Sequence, residues 1–535
     1  MSSDLPVGVL PEFVEVYDTT LRDGSQQEGL SLTVDDKLRV AQQLDLLGVA
    51  YIEGGWPGAN PKDEEFFRRA PKELNLTTAE LVAFGSTRRP SSETSTDPVL
   101  RALVNAETET VCIVAKSWDY HVVEALRTTL DEGVKMVSDS VKYLVSSGRK
   151  VFLDAEHFFD GYKANPEYAR RIMLAAQDAG ATSLVMCDTN GGTLPFEVEE
   201  IIGELRDDFS VQLGVHFHND SGCAVANSVT AVRMGVTQVQ GCVNGYGERT
   251  GNADLSTTIP NLSLKMGVQT IPRERIRILS SVSRHIAEIV NVPPNPQAPY
   301  VGHSAFAHKA GLHVSALARK KDAYEHIDPA EVGNGTRYVV SEMAGRQSVA
   351  VKAEELGLSL EGDEVKRVLD HLKELEYKGY HFEAADGSLE LLMRSATGWS
   401  QQYFTLESFR VMTDYREGGD AVTEATVKVL VDGSRVIATA EGNGPVNALD
   451  GALRKALVPH FEGLANMHLT DFRVRVLDST LGTGAAVRVL LDSTDGSESW
   501  ATMGVSPNII EASWHALVDS IVLGLVRLAG QGEAK

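Results

Sequence analysis

Two histidines two residues apart, and an aspartate almost two hundred residues before them, are the residues of this chain best suited to chemistry. His216-Phe217-His218 sits in the β-rich run VQLGVHFHND (211–220). Side chains alternate along a strand, so residues i and i+2 point the same way and both imidazoles can meet one ion. Asp23 follows the run FVEVYDTTL (13–21). Two neutral imidazoles and one carboxylate, with positions left open, suit an exchangeable Zn, Mn or Mg ion acting as a Lewis acid. The four cysteines, Cys112, Cys187, Cys223 and Cys242, form no CxxC pair, which argues against a thiolate zinc site and a disulfide framework.

Other reactive side chains fall near the ends of further runs. Arg22 places a fixed cation beside Asp23, where it could stabilise an alkoxide or bind a carboxylate, or else pair with Asp23 or Glu53. Glu156 is a candidate general base, or a partner of Arg22 or Lys116. Thr189 could bind a substrate carboxylate or cap the next turn. In NGYGERTGN (244–252) the glycines let the backbone pass close to a ligand, and Asn252 can reach inward as an amide ligand.

The elements that must position these groups repeat one unit, a β-rich run followed by an amphipathic helical pattern. The runs are 13–21, 49–55, 81–87, 110–116, 150–158, 182–190, 211–220 and 237–245. Eight such units predict a parallel (β/α)8 TIM barrel over residues 1–285. Reactive residues after nearly every run favour a closed barrel over an open sheet, which would gather them at one switch point. Residues 286–400 read as a helical linker, with the break PPNPQAP (293–299) and an amphipathic helix over 362–380. Residues 401–535 read as an α+β domain with an internal repeat, in which ATVKVLVDG (425–433), a second β-rich run and the helix 444–457 are echoed by AAVRVLLDS (485–493), SWATMGV (499–505) and the helix 506–525.

Composition narrows the function classes. The formal charge of −24 repels a phosphate backbone, so no nucleic-acid partner is expected. No apolar run long enough to cross a bilayer is read, and MSSDLPVGVLPEF lacks the basic and apolar regions of an export signal, so the expected location is cytoplasmic.

The stretches Asp18-Thr19-Thr20-Leu21-Arg22-Asp23-Gly24, His216-Phe217-His218-Asn219-Asp220 and Gly245-Tyr246-Gly247-Glu248-Arg249-Thr250-Gly251-Asn252, in this order, resemble the 2-isopropylmalate, homocitrate and citramalate synthase family. Gly442-Asn443-Gly444-Pro445-Val446-Asn447 resembles the start of its amino-acid-sensing domain. The resemblance implies Asp23, His216, His218 and Asn252 as metal ligands, Arg22 and Glu156 in catalysis, and Thr189 on the 2-oxo acid. It also implies His313 and Tyr324 as an accessory pair from the linker, commonly supplied by the partner of a homodimer. The family's usual acidic residue after that histidine is here Val314-Ser315, and His303 and His308 are assigned to structure. Trp56-Pro57-Gly58-Ala59-Asn60-Pro61 and Asp154-Ala155-Glu156-His157 resemble the citramalate branch. The implied reaction condenses acetyl-CoA with pyruvate to (R)-citramalate in isoleucine biosynthesis, with isoleucine as the expected effector of the C-terminal domain. The alternatives are 2-oxoisovalerate as acceptor, as in 2-isopropylmalate synthase, and an acyl-CoA lyase using Cys242.

Overall fold

The structure, a computed structural model, describes residues 10–320, 322–340, 345–399, 402–415, 421–477 and 479–530. The stretch read for export signals begins in residues 1–9, outside the described residues. Two compact units result, Met1–Phe306 with Ile327–Thr336, and Ala307–His326 with Arg337–Lys535.

In the first unit eight parallel strands close into a barrel: β1 (Glu15–Asp18), β2 (Tyr51–Gly55), β3 (Glu80–Ser86), β4 (Thr110–Lys116), β5 (Lys150–Glu156), β6 (Ser183–Asp188), β7 (Gln212–Phe217) and β8 (Gln238–Gly241). Each of the eight expected runs coincides with one of them, β3 beginning one residue before its run. Strands covered on both faces need no polar alternation, which is why β2 and β6 are buried at every position. One face of the strands, with Val16, Ile52, Val111, Leu153, Leu184 and Val215, joins the surrounding helices in a large apolar core. The other face carries a smaller cluster of Tyr17, Tyr51, Val82, Phe84, Cys112 and Phe152, which fills the lumen. Closure comes from β8 pairing with β1, Glu15 opposite Gln238 and Asp18 opposite Gly241. This seam brings the two ends of the barrel sequence together.

Local sequence fixes where the helices begin. Thr33 and Asp36 form a capping box on the helix Val34–Leu47, and Asn60, Asp97, Thr129 and Asn165 each accept a backbone N–H at the start of the helix that follows. Each such cap stabilises its helix by about 1 kcal/mol.

The second unit opens with helices Gly311–Arg319, Arg346–Glu355, Gly362–Tyr377 and Asp386–Ala396, and Val349, Val368, Leu372, Phe382, Leu389 and Met393 pack in a small core of their own. Two three-stranded antiparallel sheets follow, β9 (Thr405–Asp414), β10 (Val422–Val431) and β11 (Ser434–Gly442), then β12 (His468–Val476), β13 (Val487–Thr494) and β14 (Ser499–Ser506). A helix closes each half, Pro445–Leu457 and Ile509–Gly530, and one apolar core joins both. The repeat is present as read, with one leading strand per half, β9 and β12, that the sequence reading did not include.

One expectation is corrected. Ile509–Ala529 is long and apolar enough, by length and composition alone, to cross a membrane. Ala512, Ala516, Leu517, Ile521, Leu523 and Leu525 of this helix are buried in the core of its own domain, which accounts for the apolar content.

Candidate metal centre and active site

Asp23 stands just beyond β1, His216 within β7 and His218 just past it. Their ligand atoms lie together: His216 Nε2 is 3.0 Å and His218 Nε2 3.6 Å from Asp23 Oδ2, and all three side chains are buried. Without an ion, burial alone would raise the Asp23 pKa, but Arg22, His216 and His218 outweigh it and hold the carboxylate well below its usual range. Burial and the neighbouring His216 push His218 down to about 4, so its imidazole is neutral and a lone pair is available. For His216 burial works against the charged form, yet the bond to Asp23 raises it.

Asn252 follows β8 and forms an isolated bridge with His218. Its Nδ2 donates to the Tyr246 carbonyl at 3.0 Å and contacts Cys242 Sγ at 3.4 Å, whereas its buried Oδ1 has no partner among the described residues. An orphaned amide oxygen on the residue bridged to His218, with two imidazoles and a carboxylate grouped at that strand end, offers donor types that fit a divalent cation. The loop is clasped in place by Arg249, which bonds Asp220 at 2.8 and 3.0 Å and the Thr189 carbonyl at 2.7 Å.

Arg22 is held in the lumen rather than free. Its Nε donates to Glu53 Oε1 at 2.5 Å, its guanidinium lies 3.9 Å from the Phe84 ring centroid, and Nη1 is 3.7 Å from Asp23 Oδ1. Tyr17 donates to the other Glu53 oxygen at 2.7 Å, and Trp56 meets Phe84 edge-on at 5.4 Å. The pairing weighed against a catalytic role therefore exists, and it also aims the cation beside Asp23.

Glu156 ends β5 and forms an ion pair with Lys116 at the end of β4. Thr189 Oγ1 accepts the backbone N–H of His157 at 2.9 Å, which leaves its own hydrogen to donate. Arg88 is committed to Glu132 and Asp139 at 2.8 and 2.9 Å. In the second unit His313 and Tyr324 stack, ring centroids 4.0 Å apart, and His308 lies 3.5 Å from Glu325. Cys242 is fully buried, and burial pushes its thiol well above the ordinary value, the opposite of an activated nucleophile.

Three buried residues of the lumen were absent from the sequence reading or named there without a role: Asp154, Gln240 and Tyr17. Gln240 Oε1 is 2.9 Å from His216 Nδ1, and its Nε2 donates to Asp154 Oδ1 at 3.1 Å. The available signal was Gln238 and Gln240, two polar residues on one face of a strand buried at every position. Glu53, Cys112 and Asp154 also bring donor atoms together, but Glu53 is taken by Arg22 and Tyr17 and Asp154 by Gln240. Burial raises the pKa of both carboxylates.

Three families match successive stretches of the chain: HMGL-like over residues 13–282, homocitrate synthase post-HMGL domain-like over 300–379, and the LeuA allosteric (dimerisation) domain over 383–524. An (R)-citramalate synthase of Streptomyces coelicolor is 51% identical, the match covering 97% of this chain and 98% of that one. An (R)-citramalate synthase of Aquifex aeolicus is 50% identical over 98% of this chain and 100% of its own. A 2-isopropylmalate synthase of Pyrococcus furiosus is 31% identical over 95% and 98%.

Proposed function

Because this chain belongs to the HMGL-like family and, over nearly its full length, to the (R)-citramalate synthases within it, we propose that it condenses acetyl-CoA with pyruvate and hydrolyses the thioester to (R)-citramalate and CoA. The observation that carries the reading is that kinship, which is far closer to (R)-citramalate synthases than to the 2-isopropylmalate synthase. The enzyme is then an acyltransferase in which the acyl group becomes alkyl on transfer.

Asp23, His216, His218 and Asn252 would hold the ion, Mn, Mg or Zn. A divalent ion bound there supplies Lewis-acid polarisation of the 2-oxo group. Arg22, fixed by Glu53 and Phe84, holds the negative charge that grows on the ketone oxygen. Thr189, its hydroxyl hydrogen still free to donate, binds the substrate carboxylate. Glu156 removes a methyl proton from acetyl-CoA, the resulting carbon attacks the ketone, and water then splits the thioester. Lys116 pairs with Glu156 and holds its carboxylate in place at the strand end. The stacked pair His313 and Tyr324 completes the site from the partner subunit of a homodimer. The enzyme works in three parts, a barrel over 1–285, a linker over 286–400, and a regulatory region over 401–535 that binds a pathway end product, isoleucine. It acts in the cytoplasm.

Turnover of pyruvate, 2-oxobutyrate and 2-oxoisovalerate with acetyl-CoA and Mn2+, followed by release of the CoA thiol, tests the acceptor. An apolar pocket discriminates about 10–200-fold per methylene, so kcat/KM should fall at least about tenfold from pyruvate to 2-oxoisovalerate. Equal or faster turnover of 2-oxoisovalerate would overturn the assignment.

A further inference from the structure

We propose that Gln240 and Asp154 form a hydrogen-bond relay that selects the tautomer of His216, so that its Nε2 lone pair faces the metal. The inference rests on the metal-site reading above and concerns residues that touch neither ion nor substrate.

Gln240 lies on β8 directly beside His216 of β7 in the strand register, and both are buried. A glutamine amide has one end that only accepts and one that only donates, so its orientation must be set by a neighbour whose polarity is fixed. That neighbour is Asp154 of β5, which in its carboxylate form can only accept. Its carboxylate accepts from Gln240 Nε2 at 3.1 Å and from the Cys112 thiol. The amide nitrogen must therefore face β5, and the carbonyl must face His216 Nδ1, 2.9 Å away. An imidazole nitrogen opposite a carbonyl has to carry the hydrogen. In the neutral ring the other nitrogen, Nε2, then holds the lone pair, and Nε2 is the atom 3.0 Å from Asp23 Oδ2.

Turning the amide over would set its NH2 against His216 Nδ1 and its carbonyl against the Asp154 carboxylate, two acceptors with no hydrogen between them. The relay thus has one satisfied arrangement. His218 has no such support, because its buried Nδ1 is unpartnered among the described residues. The device acts on one of the two imidazoles, the one deeper in the barrel. Gln240 and Asp154 are accordingly positioning residues.

The relay makes a prediction that packing alone does not. In Asp154→Asn the new amide can donate as well as accept, so Gln240 is free to turn and present its nitrogen to His216. In Gln240→Met the shape is kept and the acceptor is lost. In the double variant Gln240→Glu with Asp154→Asn, the carboxylate at 240 accepts from His216 Nδ1 and from the amide at 154, which restores the original polarity toward the metal ligand.

The experiment is calorimetric titration of metal-free full-length enzyme with Mn2+ alone, with the melting temperature of each metal-free variant recorded beside it. The parent is expected to bind Mn2+, each single variant to bind it about 10–100-fold more weakly, and the double variant to return to within about threefold of the parent. Single variants that bind as tightly as the parent would overturn the relay while leaving the metal site standing. Weak binding in the double variant with its melting temperature intact would also overturn it, since the restored polarity would then have no effect. A parent that binds no Mn2+ would instead refute the metal-site reading, and the relay with it.

Discussion

Arg22→Lys separates the two roles this arginine could have. In the structure its Nε bonds Glu53 at 2.5 Å, its plane lies 3.9 Å from the centre of the Phe84 ring, and Nη1 extends to within 3.7 Å of Asp23. A planar fork can satisfy Glu53 with one edge and face a developing oxyanion with another, whereas a lysine ammonium is a single point charge on a flexible stem. Lysine at 22 can keep the bond to buried Glu53 or serve the ketone oxygen, but not both. Removing one preorganised oxyanion donor costs about 2.7–4 kcal/mol of transition-state stabilisation, which is about 10²–10³ in kcat. Loss of the guanidinium from the Phe84 face costs a further ~0.5–2 kcal/mol, felt mainly as stability. The assay is CoA-thiol release at saturating acetyl-CoA with pyruvate varied, together with Mn2+ titration of the same protein. The expected result is the large fall in kcat with Mn2+ affinity little changed. A variant with near-parental kcat and only a lower melting temperature would show that Arg22 is a counter-ion for Glu53 and nothing more.

Two further perturbations follow from the geometry. Gly247 has φ +146°, and a Cβ built there would lie 2.5 Å from Asn252 Nδ2. Gly247→Ala should therefore displace Asn252 and weaken Mn2+ binding about tenfold, on top of a backbone cost of about 1–3 kcal/mol. Gly148→Ala, at φ +80° with nothing near its added methyl, should lower the melting temperature and leave Mn2+ affinity alone, and equal losses of affinity in the two would contradict the argument. In the second unit burial raises the Asp519 carboxyl from 3.8 to about 7, against the bond it accepts from Ser388 Oγ at 2.6 Å. A carboxyl whose pKa is higher folded than unfolded favours the folded state while protonated, so its contribution is lost as pH climbs from about 4 to about 7. Asp519→Asn, which keeps the acceptor and drops the charge, should raise the melting temperature near pH 8 and give no gain near pH 4, and a pH-independent difference would refute the titration.

What the sequence revealed, and what it hid, divides along physical lines. Asp23, His216, His218 and Asn252 stood out because metal-binding residue types at the ends of apolar runs are rare without a reason; the structure brings the side chains of the first three together and bridges Asn252 to His218 through the backbone. The barrel was readable for a similar reason, since strands buried on both faces leave continuous apolar runs. β9 and β12 were missed because most of their residues are exposed, even apolar ones such as Met412, Phe472 and Val474, so no clean alternation marks them. Gln240 was missed because its significance lies in a contact with His216 on the next strand and with Asp154, 86 residues away in sequence. Neither partner can be inferred from the local run TQVQG.

The same contrast explains why the proposed metal set depends on barrel closure. Asp23 follows the first strand while His216 and His218 belong to the seventh and Asn252 follows the eighth, and β8 pairing with β1 closes the wall between them. The seam carries its own polar ties at that end. Thr19 donates its backbone N–H to the Gly241 carbonyl at 2.8 Å, and buried Asp18 accepts from Thr20 and from the Val243 N–H at 3.2 Å. An ion held by residues from both sides of a seam binds the closed barrel and not the open chain, so its binding free energy adds to the stability of closure. Catalytic geometry and closure of the fold are then not separate properties of this unit. On the proposed metal set, a substitution that loosens the β1–β8 seam far from any reacting atom moves Asp23 away from His216 and His218, and is felt first as weakened Mn2+ binding.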